Sequence, residues 1–426
     1  MTQHSPLSLF PKPHQTIWGV LAGDVDDPLR KSMNAMQEWS PLNAWVDTGV
    51  SIDTAATGLS GPLAGIPIGV KDIFDVKGQP TSNGCREIAT DLAATDSPVV
   101  ALLRQAGAII IGKTVTTQFA CFDPPPTLNP WNQNRTPGGS SSGSAAAVAT
   151  GMCYGAVGSQ TGGSITRPAT YCGVCGCKPT LGLVSTAGVL PVSKSLDHVG
   201  PIARCVEDLA ILLQVMSGQD GLVPASDESI EPPRIGRLGG LFHDRADADA
   251  RTALDAAIES FASAGAKLSD VELPDGFDNV LKWHRTIMCY EAFGVHCGRF
   301  AAEPDIYLTG MTLFVEEGSR ISESDYQAAK QQQHRLTKQI TNCFADVDIL
   351  LTPATTGAAP DTSSTGDPAM NSPFSFTGVP TVSMPVMLNS DGLALGIQLI
   401  GRHNAEAGLF QFAKWCETRL IAGALP

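Results

Sequence analysis

Charge is scarce in this sequence of 426 residues, and positive charge is the scarcer sign. Only 16% of the residues are charged, and 28 lysines and arginines stand against 42 aspartates and glutamates, which leaves a net charge of −14. A chain this acidic is repelled by nucleic acid and by anionic membrane surfaces, so we expect neither as a partner. Small molecules are then the default class of substrate.

Long hydrophobic runs are also missing. No stretch approaches the ~18 uninterrupted apolar residues of a membrane span, and residues 1–15 lack the basic region and apolar run of a signal peptide. The 11 cysteines, scattered from Cys85 to Cys416, are an odd number in a long chain, which does not suggest a disulfide framework. We therefore expect a soluble, cytoplasmic protein with reduced thiols and no membrane partner.

Cysteines at positions 172, 175 and 177 form the pattern Cys-x-x-Cys-x-Cys. A metal site needs further ligands, and no second cysteine or histidine pair stands nearby at ligand spacing, since His198 alone is not enough. We expect these small residues to pack in the core.

Glycine and proline are abundant, with 43 and 30 residues, and 43% of the chain is hydrophobic. This composition predicts a compact α/β body with tight turns. Apolar periodicity predicts helices and strands. The predicted helices cover residues 27–38, 96–106, 205–216, 250–265, 278–300, 322–344 and 406–420. The predicted strands are a first one ending at Lys71, followed by 108–112, 267–273, 346–353 and 393–400. Residues 122–134 and 360–375 are predicted loops, and residues 195–201 a turn.

Lys71 comes directly after the apolar run 66–70. The end of a strand is where α/β proteins place their chemistry, so Lys71 is a candidate functional residue. The alternative is a surface lysine that pairs with Asp72, because most lysines are exposed.

Two segments rich in glycine and serine follow. In residues 136–144 a Gly-Gly-Ser-Ser loop runs into an alanine-rich helix, where the usual role of Ser140 is a helix cap. This loop lacks the Gly-Lys-Ser/Thr ending of a phosphate-binding P-loop. In residues 158–168, Gly162 and Gly163 precede Ser164. Glycines let backbone N–H groups turn toward a ligand, so Ser164 is either a nucleophile with its own oxyanion hole or part of a plain polar loop.

Taken together, these pieces resemble the amidase signature family. The family pattern is a lysine after an apolar strand, then Gly-Gly-Ser-Ser, then Gly-Ser-x-Thr-Gly-Gly-Ser followed by Pro-Ala and Cys-Gly-x-x-Gly-x-Lys-Pro. This chain carries these motifs in order. Lys71 and Ser140 lie 69 residues apart, and Ser140 and Ser164 lie 24 apart, intervals that look like those of the family. The resemblance covers about residues 60–220 and 345–420.

The resemblance implies an α/β amidase signature fold, a mixed twisted β-sheet core sandwiched between layers of α-helices. It implies a single amidase domain over residues 1–426, although the length prior of ~150 residues per domain suggests more. Residues 60–220 would form the signature core, and residues 346–426 would return to the core sheet. Residues 225–345 would be a variable section that shapes the substrate pocket. Its wall candidates are Trp283, Tyr290 and Phe314, although aromatic residues on helices are more often core. A homodimer is common among relatives.

The chemistry of amide hydrolysis fits these residue types. An amide needs an activated hydroxyl, an oxyanion hole and a proton for the departing amine. No histidine lies within the three motifs, and a lysine can be the base if burial lowers its pKa. The resemblance implies a Ser-cisSer-Lys triad in which Lys71 is the base, Ser140 relays the proton and Ser164 attacks the carbonyl to form an acyl-enzyme. No metal or cofactor is needed.

The resemblance also assigns supporting roles. Ser140 would follow a cis peptide bond with Gly139, and Ser141 would help to hold Ser164 and Lys71 in place. The oxyanion hole would be formed by the backbone N–H groups of Thr161, Gly162, Gly163 and Ser164.

Two positions depart from the commonest family pattern. Most relatives have Asp where this chain has Gln160, and Arg where it has Thr166. Arg167 instead lies three residues after the nucleophile, which looks like the compact branch that contains malonamidase, where the arginine contacts a substrate carboxylate. By this resemblance Arg167 and Gly139 would contact the substrate. The alternative is that Arg167 pairs with a carboxylate of the protein.

The expected activity is hydrolysis of a small-molecule amide to a carboxylate and ammonia or an amine. One alternative is the glutaminase subunit of a tRNA-dependent amidotransferase, which shares the three catalytic residues but usually keeps the Asp and the closer Arg. Another is a non-enzymatic binding protein on the same fold, which the presence of Lys71, Ser140 and Ser164 disfavours.

Overall fold

The computed structural model describes residues 8–49, 59–88, 91–224 and 230–424. Within this part of the chain, ten strands form one sheet. They are β1 Pro67–Lys71, β2 Ile109–Thr114, β3 Gly155–Gln160, β4 Cys175–Lys178, β5 His198–Ala203, β6 Arg234–Leu238, β7 Lys267–Val271, β8 Ile349–Pro353, β9 Thr381–Leu388 and β10 Ala394–Ile400. Their order across the sheet is β2-β1-β3-β5-β4-β9-β10-β8-β6-β7.

Thirteen α-helices accompany the sheet in the described ranges. They are α1 Ile17–Leu21, α2 Pro28–Glu38, α3 Pro98–Gln105, α4 Ser142–Ala149, α5 Thr166–Tyr171, α6 Val206–Ser217, α7 Leu241–Arg245, α8 Ala248–Ser263, α9 Val280–Ala302, α10 Thr309–Ser319, α11 Glu323–Gln339, α12 Ser372–Thr377 and α13 Glu406–Ala424.

Helices cover both faces of the sheet because successive strand residues point to opposite sides. In β2, Ile110 joins a buried cluster with residues of α3, α6, α8 and α13, whereas Ile109 and Ile111 join a second cluster with α4 and α5. In β3, Val157 and Ala156 divide between the same two clusters. A third cluster packs α7, α9, α11 and α12 near β8 and β10. The predicted α/β fold with a mixed sheet between helical layers is confirmed.

The sheet register brings the first two motifs together. Strand β1 pairs in parallel with both β2 and β3, and Val70 lies beside Val157. Because the carboxyl ends of parallel strands meet at one edge, Lys71 at the end of β1 lies beside Ser159, the second-last residue of β3.

Most of the predicted helices and strands are confirmed within a few residues, but strands β3, β4, β6 and β9 and helices α1, α5, α7, α10 and α12 were not predicted. Helix α12 begins at Ser372, so the predicted loop over residues 360–375 is wrong at its last four residues. Residues 195–201 were predicted as a turn, and this is wrong, because the buried strand His198–Ala203 lies antiparallel to both β3 and β4. Gly200 and Pro201 give this strand the composition of a turn. Gly200 is needed because a Cβ there would lie 2.1 Å from the carbonyl oxygen of Cys177.

All eleven cysteines lie in the described ranges as free thiols, and ten of them are buried. The core packing predicted for Cys172, Cys175 and Cys177 is confirmed. None of the described helices combines the length and the apolar character that crossing a bilayer requires.

Candidate active site

Strand β1 ends by placing Lys71 in a fully buried position. Its Nζ lies 2.7 Å from Ser140 Oγ and 2.8 Å from Ser159 Oγ. The alternative of a surface lysine paired with Asp72 is therefore wrong. Asp72 instead forms a buried ion pair with Lys113, at 2.9 Å.

Burial controls the protonation of Lys71. Loss of hydration disfavours the ammonium form and lowers the pKa of Lys71 to about 7, while Cys121 and Asp197 act weakly in the opposite direction. A substantial fraction of neutral amine is therefore present near neutral pH, which is the form that can accept a proton.

Ser140 lies just before helix α4 and is also buried. Ser141, not Ser140, occupies the N-cap position of that helix, so the helix-cap interpretation of Ser140 is wrong. The peptide bond between Gly139 and Ser140 is cis.

Ser164 is half-buried and lines the same cavity as Ser140. Within the described ranges its hydroxyl makes no hydrogen bond. The hydrogen bond between Lys71 and Ser140 is therefore formed, whereas a hydrogen bond between Ser140 and the Ser164 hydroxyl is not. Hydrogen bonds of catalytic groups are often long before substrate binds. Ser141 connects Ser164 with the strand that carries Ser159. Its N–H donates to the Ser164 carbonyl at 3.3 Å, and its hydroxyl donates to the Ser159 carbonyl at 3.3 Å.

The segment before Ser164 presents a row of backbone N–H groups. Among the described residues, none accepts a hydrogen bond from the N–H groups of residues 161–164. Gly163 must be glycine, because a Cβ there would lie 2.5 Å from Asn371 Oδ1. Free N–H groups in sequence are what a developing oxyanion needs.

Gln160 fixes the turn that carries Ser164. Its Oε1 accepts hydrogen bonds from the N–H groups of Ile165 and Thr166, at 2.9 and 3.0 Å. Its Nε2 donates to Ser375 Oγ at 3.2 Å, a bond that an aspartate at this position lacks the donor to make.

Arg167 lies in the first turn of α5, with 5% of its surface exposed. Its Nη2 donates to the Gly139 carbonyl at 2.8 Å and to Thr365 Oγ1 at 3.4 Å, while Nε and Nη1 have no partner. No carboxylate lies within ion-pair distance of it in the described ranges, which contradicts the alternative of a protein carboxylate partner. Burial lowers the pKa of Arg167, against weaker effects of Tyr171 and Asp367.

A cavity of about 230 Å³ joins these groups. Its lining includes Ser140, the segment 161–164 and Arg167. Helix α9 contributes residues on one side, and loop residues around Thr365 and Asp367 lie on another. This lining consists largely of Leu281, His284, Arg285, Met288, Thr365, Asp367, Pro368, Ala369 and Ser372.

The three aromatic wall candidates are wrong, because none of them lines this cavity. Trp283 packs against a core cluster, Tyr290 stacks on Tyr326, and Phe314 is buried beneath Phe122. Trp283 and Tyr290 lie on α9, whose cavity-facing residues are instead Leu281, His284, Arg285 and Met288, and Phe314 lies on α10.

Ser159 and His284 are site residues that the sequence interpretation missed. Ser159 lies in the family motif and two residues after Val157, so the two side chains share one face of β3. This alternation of side chains along the strand is a signal that could have identified Ser159. His284 donates from Nε2 to the Thr161 carbonyl at 2.9 Å, and burial lowers its pKa to about 4. No local sequence signal distinguishes this histidine from others on helices. In the described ranges no cluster of His, Cys, Asp or Glu could hold a metal ion.

Comparison with known proteins gives a consistent result. The family model Amidase matches residues 30–410. One subunit of the glutamyl-tRNA(Gln) amidotransferase of Prochlorococcus marinus (strain NATL2A) is 34% identical over 412 residues, covering 84% of each chain. A crystal structure of an amidase matches with a TM-score of 0.85 and 28% identity, covering 94% of this chain and 98% of that one. The native peptide amidase of Stenotrophomonas maltophilia matches with a TM-score of 0.80 and 27% identity, covering 95% and 97%. The chain therefore belongs to the amidase family, and it is a hydrolase that acts on amide C–N bonds.

Proposed function

We propose that this enzyme hydrolyses a small amide that carries a carboxylate, through an acyl-enzyme on Ser164. The observation that carries the proposal is the buried Lys71, whose pKa is about 7 and whose Nζ lies 2.7 Å from Ser140 Oγ. A neutral amine held against a serine hydroxyl is a proton acceptor, and Ser140 shares a cavity with Ser164.

Each step of the proposed reaction conserves its protons. Ser164 Oγ attacks the amide carbonyl, and its proton passes through Ser140 Oγ to Lys71 Nζ. When the C–N bond breaks, Lys71 returns the proton through Ser140 to the departing amine. Water then attacks the acyl ester, and the same relay takes its proton and gives it back to Ser164. The N–H groups of Thr161, Gly162, Gly163 and Ser164 are the proposed donors to the oxyanion in both steps.

The preference for a carboxylate rests on Arg167. The buried guanidinium of Arg167 lines the cavity, three residues beyond the proposed nucleophile. Its Nε and Nη1 have no hydrogen-bond partner. An anion with two oxygens would satisfy both nitrogens in a bidentate pair. Gly139 contributes through its carbonyl, which holds Nη2 of the same guanidinium at 2.8 Å.

The cavity volume of about 230 Å³ lies below the ~300–1,000 Å³ of pockets for drug-sized ligands, which supports a small substrate. We further propose that the enzyme is cytoplasmic, that it forms a homodimer, and that residues 225–345 act as the variable part of one amidase domain.

The test is ammonia release by the purified chain alone, without ATP, from a panel of amides. The panel contains dicarboxylic acid monoamides, ureido acids, aryl amides and hydrazides. We expect turnover that Ser164→Ala abolishes, together with an acyl-enzyme adduct detected by mass spectrometry after rapid quench. Substantial activity in Ser164→Ala would contradict the assignment of the nucleophile.

The second candidate is the glutaminase subunit of an amidotransferase, which the 34% identical relative favours. Gln160 and the position of Arg167 argue against it. Glutamine hydrolysis that appears only when partner subunits of an amidotransferase are added would support this alternative over the stand-alone amidase.

A further inference from the structure

The proposed oxyanion segment, residues 161–164, is held through its backbone carbonyls. Three successive carbonyls, those of Thr161, Gly162 and Gly163, each accept a hydrogen bond at 2.8–2.9 Å. The donors are His284 Nε2, Ser375 Oγ and the backbone N–H of Arg167, in that order. They come from helices α9, α12 and α5, which are far apart in sequence.

Peptide geometry converts these contacts into an orientation. A trans peptide unit is planar, and its C=O and N–H bonds point in opposite directions. Fixing the carbonyl of Thr161 therefore fixes the N–H of Gly162, and the next two carbonyls fix the N–H groups of Gly163 and Ser164 in the same way. These are the N–H groups that find no acceptor in the described part of the chain.

We propose that His284 and Ser375 are positioning residues that aim the N–H groups of Gly162 and Gly163 at the oxyanion. The proposal rests on the amide-hydrolase function proposed above and names residues outside the three sequence motifs. A hydrogen bond to a peptide carbonyl also strengthens the N–H of the same unit as a donor, so the two side chains act on both direction and strength.

The hydrogen-bond directions around Ser375 support its role. Gln160 Nε2 is a donor, so Ser375 Oγ accepts from it at 3.2 Å and turns its own proton toward the Gly162 carbonyl at 2.8 Å. Both side chains are buried, which keeps water from competing for these bonds. On the other side, the hydroxyl of Thr161 donates to Asp197 at 2.5 Å, so this residue is held at both its side chain and its carbonyl.

His284 holds the carbonyl through Nε2–H, which defines the matched variants. His284→Gln keeps an N–H donor at a similar reach, whereas His284→Met keeps the length of the side chain without the donor. Deleting one oxyanion donor outright costs about 100- to 1,000-fold in kcat. Since His284→Met misaligns a donor rather than deleting it, we expect a fall of roughly 10- to 100-fold in kcat with KM within about threefold. His284→Gln should recover most of the rate.

The assay uses the best amide of the panel and an aldehyde analogue of its acyl group, which binds Ser164 as a hemiacetal. In His284→Met and in Ser375→Ala, affinity for the aldehyde should fall in parallel with kcat, while affinity for the carboxylate product stays within threefold. A merely structural role would instead lower both affinities together with the melting temperature, and this result would overturn the proposal. Loss of activity in His284→Gln equal to that in His284→Met would also overturn it, because a histidine acting as a base would behave in that way.

The outcomes for this inference and for the proposed function are distinct. If the wild type turns over amides through Ser164 and both His284→Met and Ser375→Ala match its kcat, only the positioning proposal fails. If the wild type forms no acyl-enzyme with any amide, the proposed function fails, and the positioning proposal with it. Ser375→Ala removes only one oxygen atom, so it tests the proposal even if His284→Met does not fold.

Discussion

Replacing Arg167 with methionine gives the sharpest test of substrate choice. Arg167 is 5% exposed, with Nε and Nη1 unpartnered and no protein carboxylate within ion-pair distance in the described ranges. A substrate carboxylate that bridges those two nitrogens would form a buried, charge-assisted pair. Removing one partner of such a pair costs about 2–5 kcal/mol. Because ~1.4 kcal/mol is a factor of ten, kcat/KM for a carboxylate-bearing amide should fall by roughly 30- to 4,000-fold.

The same variant also removes the hydrogen bond from Nη2 to the Gly139 carbonyl, beside Ser140. A neutral substrate measures this structural part of the loss. We therefore compare a dicarboxylic acid monoamide with the matching diamide, which has the same shape and lacks the charge. A hydrogen bond from a charged donor contributes about 1.5–3 kcal/mol, so the diamide should lose roughly 10- to 150-fold, and the additional loss on the monoamide measures the carboxylate pair.

The assay is ammonia release at saturating and limiting substrate, with Arg167→Lys as the control that keeps the charge. Lysine cannot form the bidentate pair, so Arg167→Lys should fall between the wild type and Arg167→Met on the monoamide. An equal loss on monoamide and diamide would refute carboxylate recognition by Arg167. The folding control is the melting temperature of each variant.

Two further predictions concern buried charges. The proposed base must be neutral, and the pKa of Lys71 is about 7, so kcat/KM should fall tenfold per pH unit below pH 7 and level off above about pH 8. A pH profile of kcat/KM between 5.5 and 9 checks this. A flat profile would argue against Lys71 as the base. Lys113→Met should destabilise the fold by about 3–5 kcal/mol, because it leaves the Asp72 carboxylate buried without its partner at 2.9 Å. Urea unfolding measures the loss, and adding Asp72→Asn to the same chain should recover much of it; a single-variant loss below about 1 kcal/mol would show that the pair is not buried in solution.

Sequence patterns found the elements whose signals are local. The helices α2, α3 and α8 follow from apolar spacing and proline or aspartate at their starts, and β2, β8 and β10 follow from short apolar runs. Strand β5 was missed because glycine and proline within it carry the composition of a turn. Its strand conformation comes from pairing with β3 and β4, which are distant in sequence.

The ordered motifs around Lys71, Ser140 and Ser164 determined by themselves the family and the chemical class, because residue type and spacing are properties of the chain. The tertiary structure decided what surrounds them. Burial on all sides sets the protonation of Lys71, and the absence of a nearby carboxylate leaves Arg167 with unpartnered nitrogens in the described ranges. His284 reaches the Thr161 carbonyl from a helix 123 residues away in sequence. Burial and long-range contacts depend on how distant segments pack, and no local pattern encodes them.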